Sequence, residues 1–310
     1  MSEFQTKLLI LGSGPAGYTA GIYAVRSGIN PLLVSGMQVG GQLTTTTDVE
    51  NFPGFPEPIN GTDLMDKMRQ QSQNLGVELL TDHINEVDFQ NRPFTLKGDN
   101  HTYKADSIII ATGASAKKAG IVGEEKFWGF GVSACATCDG FFYRGKDVAV
   151  LGGGNTAIVE ALHLTHFAKS VTLIHRRDKL RAEKVMIERV LNNPKINVEW
   201  DSIVEEIYGD EKPLSVTGIK IKNIKSGEVK ELKLDGVFVA IGHQPNTDLF
   251  KEQLKLNEQG YIHTHSGTHT SVEGIFSAGD VTNPKYKQAV IAAAMGCEAA
   301  LDAEHYLSNK

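Results

Sequence analysis

Two cysteines separated by two residues, Cys135 and Cys138, are the side chains in this sequence best suited to redox chemistry. A spacer of this length brings two thiols within reach of a disulfide, and a thiolate in such a pair often has a lowered pKa. A glycine-rich turn at residues 152–157 follows shortly afterwards, with the composition that holds a dinucleotide pyrophosphate. A dithiol and an electron carrier therefore share one stretch of chain, which indicates electron transfer into or out of a disulfide.

Asp139 directly follows the second cysteine. A buried carboxyl group has a raised pKa and can protonate a departing thiolate at neutral pH. Asp139 is therefore a candidate acid in the thiol–disulfide exchange, alongside Cys135 and Cys138.

A second glycine turn lies at the start of the chain. An apolar run at residues 7–11 predicts a buried parallel strand, and residues 12–17 fit the G-x-G-x-x-G pattern. A helix is expected to follow as far as about Ser27, and residues 31–35 predict the next strand. This strand–turn–helix–strand order is the context in which the pattern binds a dinucleotide. The candidate contacts in the turn are Gly12, Ser13, Gly14, Pro15, Ala16 and Gly17.

The residues after each second strand distinguish the two ligands. An NAD site places an acidic residue there, but the first unit has Ser35 and Gly36, which favours FAD. The second unit also lacks an acid and instead carries arginines, whose guanidinium groups can clamp a 2′-phosphate, as expected for NADP(H). The candidate NADP contacts are Gly152, Gly153, Gly154, Asn155, Thr156, His175, Arg176, Arg177 and Arg181.

Three further segments are expected to close the first site: a buried strand at residues 107–113, a strand ending at Asp280, and an irregular stretch at residues 36–61. A long helix is predicted from about Lys287 to Tyr306, and its positive N-terminus suits the negative charge of a reduced flavin. The remaining candidate FAD contacts are Ser35, Gly36, Gly41, Gln42, Leu43, Asn51, Ala111, Thr112, Gly113, Gly279, Asp280, Lys287, Gln288 and Ala289.

The order of these segments predicts an α/β protein with two three-layer, Rossmann-like dinucleotide-binding domains. The first nucleotide unit opens the chain and its closing segment ends it, so the second unit is an insertion. We expect a discontinuous FAD domain at residues 1–115 and 246–310. The NADP domain, at residues 116–245, carries the two cysteines.

Composition narrows the class of protein. The chain has 310 residues and a formal net charge of −6, without a lysine-rich run, which argues against nucleic acid and anionic membranes as partners. Neither a targeting peptide nor a membrane-spanning run is visible. Three cysteines are too few for a secreted disulfide framework, so a reducing, cytoplasmic location is expected.

Together these features resemble the low-molecular-weight thioredoxin reductases of bacteria, along essentially the whole chain. The Cys-Ala-Thr-Cys-Asp string at residues 135–139 is highly specific in that position. The other matching stretches are residues 12–17, 40–43, 50–54, 111–113, 152–157, 175–177 and 279–280.

The resemblance implies a homodimeric flavoprotein, a thioredoxin-disulfide reductase, that passes electrons from NADPH through FAD to the cysteine pair and then to thioredoxin. It also assigns roles to three residues. Cys138 lies against the flavin, Cys135 attacks the disulfide of thioredoxin, and Asp139 donates and accepts the proton. Because the dithiol and the nicotinamide are carried by the same inserted domain, we expect that domain to rotate between the half-reactions.

Three positions depart from the family pattern. Val159 stands where an acidic residue usually precedes Glu160, and Lys287 replaces the usual arginine. Phe130 takes the place of an arginine near the expected thioredoxin-docking surface, where Phe141 and Phe142 also lie. These departures concern a nicotinamide contact, a flavin contact and the choice of partner.

Other functions fit parts of the sequence. The alternatives are an NADPH-dependent FAD reductase for another dithiol protein and a non-enzymatic NADP(H)-sensing regulator, although a sensor would not need Cys135, Cys138 or Asp139. No metal site is expected, since a structural zinc needs four ligands and Cys297 is the only further thiol. His263, His265 and His269 are interpreted as loop histidines.

Overall fold

The structure is a computed structural model that describes residues 2–45 and 48–310. Two of the four consecutive threonines at residues 44–47 therefore lie outside the described residues. The chain forms two compact units. Unit 1 comprises Met1–Ser115 and Gln244–Lys310, and unit 2, which is inserted into it, comprises Ala116–His243.

In chain order, the strands are β1 (Ser2–Leu11), β2 (Pro31–Val34), β3 (Asp48–Val49), β4 (Ile59–Asn60), β5 (Glu78–Leu80), β6 (Ile84–Asp88), β7 (Phe94–Gly98), β8 (His101–Ile110), β9 (Ala114–Ala116), β10 (Val132–Ser133), β11 (Asp147–Leu151), β12 (Ser170–Ile174), β13 (Ile196–Glu199), β14 (Ser202–Glu211), β15 (Leu214–Asn223), β16 (Val229–Lys233), β17 (Gly236–Val239), β18 (His243–Pro245) and β19 (Ile275–Ser277).

The helices are of two kinds. The α-helices are α1 (Pro15–Arg26), α2 (Gly61–Asn74), α3 (Ala136–Asp139), α4 (Asn155–Leu164), α5 (Lys184–Leu191) and α6 (Ala289–Ser308). Short 3₁₀ helices cover Gly41–Thr45, Gly140–Tyr143, Asp248–Phe250 and Gly279–Val281.

Unit 1 is built on a mixed sheet with the strand order β5-β2-β1-β8-β7-β6, and β19 also pairs with β8. The strands β5, β2, β1, β8 and β19 are parallel, whereas β7 and β6 continue the sheet in antiparallel fashion. Parallel strands covered on both faces are expected to be uniformly apolar. β1 agrees with this, because Leu8 and Ile10 pack on the side of α1, α2 and α6, while Leu9 packs on the opposite side with Phe250.

Unit 2 has three layers. Its central sheet is entirely parallel, with the order β10-β17-β11-β12-β13. One face packs against α3, α4 and α5 through residues such as Ile158 and Leu164. The other face packs against the antiparallel sheet β14-β15-β16 through residues such as Ile219 and Ile221.

The expected α/β fold is confirmed, and the predicted elements around both glycine turns are present. The glycine turn at residues 152–157 is preceded by the strand β11. The strand predicted at residues 7–11 begins earlier, at Ser2, because the start of β1 also pairs in register with β8. The last helix begins at Ala289 rather than at about Lys287.

Candidate functional site

The carboxyl ends of the parallel strands of unit 1 meet at one edge of its sheet. There, the backbone N–H of the first residue beyond one strand donates to the last residue of a neighbouring strand. The pairs are Gly12 to Val34 (2.8 Å), Ala111 to Leu11 (2.8 Å) and Ala278 to Ile110 (3.0 Å). The turns after β1, β8 and β19, which the sequence predicts to hold one ligand, therefore lie side by side.

The turn between β1 and α1 leaves the start of the helix accessible to an anion. Gly12 has φ 112°, a conformation that residues with a side chain rarely adopt. Gly14 precedes α1 and has no side chain to cap it, and Pro15 at the first helical position has no N–H. A Cβ on Gly17 would lie 1.9 Å from the carbonyl oxygen of Gly12, so the helix packs on the turn at a distance that only glycine permits. An uncapped helix start behind a glycine turn is an arrangement that favours a pyrophosphate.

Ser13, a predicted contact in this turn, joins neighbouring loops. Its buried hydroxyl donates to the carbonyl of Ser35 at 3.0 Å and accepts from the N–H of Gly40 at 3.0 Å. The hydroxyl of Ser35 donates to the carbonyl of Gly36 at 2.9 Å. Both hydroxyl protons are therefore used within the protein, and the two serines hold the glycine loop beside the nucleotide turn.

The predicted loop at residues 36–61 is partly structured, since it contains the 3₁₀ helix Gly41–Thr45 and the strands β3 and β4. Within it, Gln42 is exposed, and Leu43 packs against the core beneath α1 and α2. The side-chain amide of Asn51 donates to Oε1 of Gln288 at 3.3 Å. Asn51 is thereby placed at the start of α6, where the sequence predicts the flavin ring.

Thr112 and Gly113 are held by Asn246, a residue of the same unit that lies far away in the sequence. The hydroxyl of Thr112 donates to the Asn246 carbonyl at 2.9 Å, and the Asn246 amide donates back to the Thr112 carbonyl at 2.8 Å. The backbone N–H of Asn246 donates to Gly113 at 3.0 Å. The predicted domain boundary at residues 245 and 246 marks this region but does not show that Asn246 fastens the turn.

Asp280 lies at the end of β19, half-buried in the 3₁₀ helix Gly279–Val281. Burial raises the pKa of its carboxyl to about 6, and the positive charge of Lys287 acts in the opposite direction. The ammonium group of Lys287 donates to the hydroxyl of Tyr261 at 3.0 Å and to the carbonyl of Asn283 at 3.1 Å. Lys287 therefore fastens the segment before Gln288 and Ala289, and Tyr261 is a partner that the sequence did not reveal.

Unit 2 repeats this edge arrangement. Here too, the backbone N–H of the first residue beyond one strand donates to the carbonyl of the last residue of a neighbouring strand. The pairs are Gly152 to Ile174 (3.1 Å), Ala240 to Leu151 (2.9 Å) and His175 to Glu199 (3.0 Å). Gly152 has φ 147°, and Gly154 precedes α4 without a side chain to cap it. Asn155 and Thr156 follow at the exposed start of α4. The second predicted dinucleotide turn therefore also presents an uncapped helix start.

The basic segment after β12 folds back onto this turn. His175 is buried, and one of its ring nitrogens hydrogen-bonds the carbonyl of Lys179 at 2.9 Å. The backbone N–H of Arg181 donates to the carbonyl of Gly153 at 2.7 Å. Arg181 is exposed beside the turn, Arg176 is exposed, and Arg177 is half-buried. His175 is a structural support of the turn, whereas the guanidinium groups provide positive charge near it.

Cys135 and Cys138 form a disulfide within unit 2. Cys135 is half-buried and immediately precedes α3, and Cys138 is exposed on α3. The hydroxyl of Ser133 accepts the backbone N–H of Cys135 at 3.0 Å, and the sulfur of Cys135 accepts the N–H of Cys138 at 3.2 Å. The pair is therefore held in a hydrogen-bonded turn with one sulfur open to solvent.

Two carboxyl groups adjoin this turn. Burial raises the pKa of Asp139, and a hydrogen bond with Ser133 lowers it in part. Glu160, on α4, accepts the backbone N–H of Ala136 through Oε2. Burial also raises the pKa of Glu160 to about 7, with a hydrogen bond from Ala136 lowering it and the charge of Asp139 raising it. Sequence reasoning did not assign Glu160 to the site, because 24 residues separate it from Ala136.

The other departures from the family pattern lie at the surface of unit 2. Val159 is 53% exposed on α4, next to Glu160, so an apolar group lies at the surface here. Phe130 and Phe141 are about half exposed, at 49% and 48%. The ring of Phe141 contacts Phe142 at 6.3 Å between centroids, and the guanidinium of Arg144 lies 5.0 Å from its centre.

The described part of the chain contains neither a cluster of metal ligands nor a membrane-spanning helix. Among residues 2–45 and 48–310, no group of three or more His, Cys, Asp or Glu side chains is arranged to hold a metal ion. Among the same residues, none of the helices has both the length and the apolar character needed to cross a membrane.

Comparison with known proteins places this geometry in a family. The model of the family described as pyridine nucleotide-disulphide oxidoreductase matches residues 6–296. The chain is 54% identical to a thioredoxin reductase of Coxiella burnetii over 310 residues, which cover 97% of this chain and 96% of that protein. It is 53% identical to the thioredoxin reductase of Escherichia coli O157:H7 over 314 residues, which cover 98% of this chain and 97% of that protein.

Solved structures agree. The thioredoxin reductase of Giardia duodenalis superposes with a TM-score of 0.92 at 42% identity, covering 98% of this chain and 99% of its own. The thioredoxin reductase of Streptococcus pyogenes superposes with a TM-score of 0.93 at 38% identity, covering 99% of each chain. The resemblance expected from the motifs is thus confirmed. The chain belongs to the pyridine nucleotide-disulphide oxidoreductase family and, within it, to the thioredoxin reductases.

Proposed function

We propose that the protein is a thioredoxin-disulfide reductase, which takes electrons from NADPH through FAD and the Cys135–Cys138 disulfide to oxidised thioredoxin. The observation that carries this proposal is the disulfide itself, which lies in a hydrogen-bonded turn beside Asp139, a carboxyl group with a raised pKa. The relatives that match nearly the whole chain are named thioredoxin reductases, which supports thioredoxin as the substrate.

Unit 1 is the proposed FAD domain. Its donors fit a flavin dinucleotide, because the uncapped start of α1 suits a pyrophosphate and the start of α6 suits an anionic ring. The backbone of residues 12–17 would contact the pyrophosphate, and Asp280 would accept a hydroxyl group of the ribityl chain. When bound, FAD supplies hydride acceptance from NADPH and delivery of two electrons to the disulfide.

Unit 2 is the proposed NADPH domain. The uncapped start of α4 would hold the pyrophosphate, as in unit 1. Arg176, Arg177 and Arg181 would bind the 2′-phosphate, since guanidinium groups pair with phosphate oxygens in bidentate fashion. The absence of an acidic residue at this position agrees with a 2′-phosphate, which an acid would repel.

The chain's own dithiol performs the final exchange. After reduction, the Cys135 thiolate attacks one sulfur of the thioredoxin disulfide, so that a mixed disulfide forms and the thioredoxin S–S bond breaks. Asp139, whose pKa is raised by burial, donates a proton to the departing thioredoxin thiolate. Cys138 then attacks Cys135, which closes the internal disulfide and releases the second thioredoxin sulfur. Two electrons have moved from the dithiol to thioredoxin.

Assembly, location and motion complete the proposal. We infer a homodimer, as the resemblance implies. We also infer a cytoplasmic location from the low cysteine count, and no nucleic acid or membrane partner from the net negative charge. Rotation of unit 2 between the half-reactions stays a prediction. A rigid cross-link between the units should then stop turnover and leave FAD bound, whereas full steady-state activity in the cross-linked protein would contradict it.

Spectroscopy and turnover test the function directly. The purified protein should be yellow, NADPH should bleach the flavin more readily than NADH, and thioredoxin with an insulin-type disulfide should sustain turnover. Cys138→Ser should abolish that turnover because the internal disulfide cannot form. Cys297→Ser, which makes the same substitution at the half-buried thiol of α6, should not.

The same assay separates the alternatives. A preference for NADH or the absence of flavin would contradict the cofactor assignment. Bleaching by NADPH without turnover of thioredoxin would indicate a reductase for a different dithiol protein, and exposed Phe130 and Phe141 are the surface residues to compare first.

A further inference from the structure

Glu160 connects the helix of the second nucleotide turn to the redox-active turn. It lies on α4, and its Oε2 accepts the backbone N–H of Ala136, the residue that follows Cys135. Ala136 is the first residue of α3, so its N–H has no acceptor within that helix. Ala136 is also buried, which leaves Glu160 as the group that satisfies this N–H.

The Glu160 carboxyl is bonded to the peptide group that directly follows Cys135. Burial and the charge of Asp139 raise the pKa of Glu160 to about 7, while the hydrogen bond from Ala136 lowers it. The helix α4 packs against α3 and α5 and against the strands β11 and β12. Among the described residues on those elements, Asp139 is the charged group whose field acts on Glu160. Glu160 therefore changes its charge near neutral pH, at a hydrogen bond to the residue that follows Cys135.

We propose that Glu160 is a positioning residue for the Cys135–Cys138 pair, which fixes the turn through the Ala136 N–H and opposes the thiolate form of Cys135 by its negative charge. The inference rests on the proposed function, because it concerns the reduced state of that pair. Reduction adds two electrons to the S–S bond, and the two sulfurs take up two protons, or one where a thiolate persists. A nearby carboxylate destabilises a thiolate by like-charge repulsion. Because the thiolate belongs to the reduced pair, the carboxylate shifts the equilibrium toward the disulfide.

The charge effect can be measured without any cofactor reaction. Full-length flavoprotein is equilibrated in glutathione redox buffers at pH 6 and pH 8, and the dithiol fraction is determined by thiol alkylation and mass. Glu160→Gln keeps the shape and a carbonyl acceptor but removes the charge. At pH 8 it should shift the equilibrium toward the dithiol by about three- to tenfold. At pH 6, where wild-type Glu160 is protonated, the variant and the wild type should agree.

A matched control is Glu188→Gln, which removes the same charge from an exposed position on α5 of the same unit. It should behave as the wild type at both pH values. If Glu160→Gln does not differ from the wild type at pH 8, or differs equally at pH 6, the charge argument is wrong.

The positioning argument has its own measurement. Glu160→Ala removes the acceptor as well as the charge, so it should lower kcat for thioredoxin about tenfold below Glu160→Gln while KM for thioredoxin stays the same. Equal kcat values for the two variants would overturn this part, and thermal unfolding shows whether each is folded. Failure of the proposed function would look different, since wild-type protein would then not reduce thioredoxin, while the redox equilibrium of its cysteine pair could still be measured.

Discussion

Replacing Gly17 by alanine should weaken FAD binding, because α1 could no longer pack on the turn that precedes it. The added Cβ would lie 1.9 Å from the carbonyl oxygen and 2.8 Å from the carbonyl carbon of Gly12, whereas real Cβ atoms essentially never come closer than 3.0 Å. Both clashing atoms belong to the backbone, so no side chain can rotate away. The helix and the turn must separate by about 1 Å, which moves the N–H groups at the start of α1.

The expected magnitude follows from this overlap. Inserting a methyl group into a closely packed site costs about 1–3 kcal/mol. For a domain of this size, each kcal/mol lowers Tm by about 2–4 °C. If the displaced helix start must return to bind the pyrophosphate, the same energy weakens FAD binding by about 5- to 150-fold.

Gly14→Ala is the matched control. A Cβ at Gly14 meets nothing within 4 Å, and its φ of −69° suits any residue. The apoprotein should therefore keep its stability to within about 0.5 kcal/mol. FAD affinity should still fall, because this glycine lets the pyrophosphate approach the backbone.

The assay measures two quantities for each variant. Thermal unfolding of the apoprotein reports the packing of α1, and titration of the apoprotein with FAD, followed by flavin fluorescence, reports the affinity. Gly17→Ala should change both, and Gly14→Ala only the second. An unchanged apoprotein Tm in Gly17→Ala, or unchanged FAD affinity in Gly14→Ala, would refute the reasoning for that glycine.

Three further predictions concern charged side chains. Asp139→Asn should lower kcat for thioredoxin reduction about 10²- to 10⁴-fold, because the proton donor is lost; steady-state assays across pH would check this, and an unchanged kcat would exclude it as the acid. The double variant Arg176→Ala, Arg177→Ala should raise KM for NADPH by about 10-fold or more for each charged hydrogen bond lost. KM for NADH should stay unchanged, and steady-state kinetics with each nucleotide would check both. The carboxyl group of Asp280 has a pKa of about 6 in the folded protein, against an ordinary value of 3.8. The folded protein therefore binds a proton at Asp280 more tightly than the unfolded chain does. Its contribution to the free energy of unfolding should therefore fall by about 3 kcal/mol as pH rises from about 4 to 6. Denaturant unfolding of the apoprotein should show this fall in the wild type relative to Asp280→Asn, and parallel pH profiles would contradict it.

The elements around the glycine turns could be predicted because their signals are local. An apolar run, a glycine at the required spacing and the following helix all lie within a few residues, and β1–α1–β2 and β11–α4–β12 form as expected. The last helix begins two residues after its expected start, because Lys287 is held by Tyr261 and Asn283 in the segment before the helix. The irregular stretch at residues 36–61 contains β3 and β4, which are too short to give a periodic pattern.

By itself, the sequence determined the chemistry available to this protein: a dithiol with an adjacent acid, two turns for dinucleotides, and arginines where an acid would otherwise stand. Only the tertiary structure decided which distant groups meet these motifs. Glu160 reaches Ala136 across 24 residues, and Asn246 reaches Thr112 across 134 residues. The physical reason is that a motif encodes hydrogen bonds between near neighbours, whereas each of these pairs is brought together by the packing of helices and strands within its own unit.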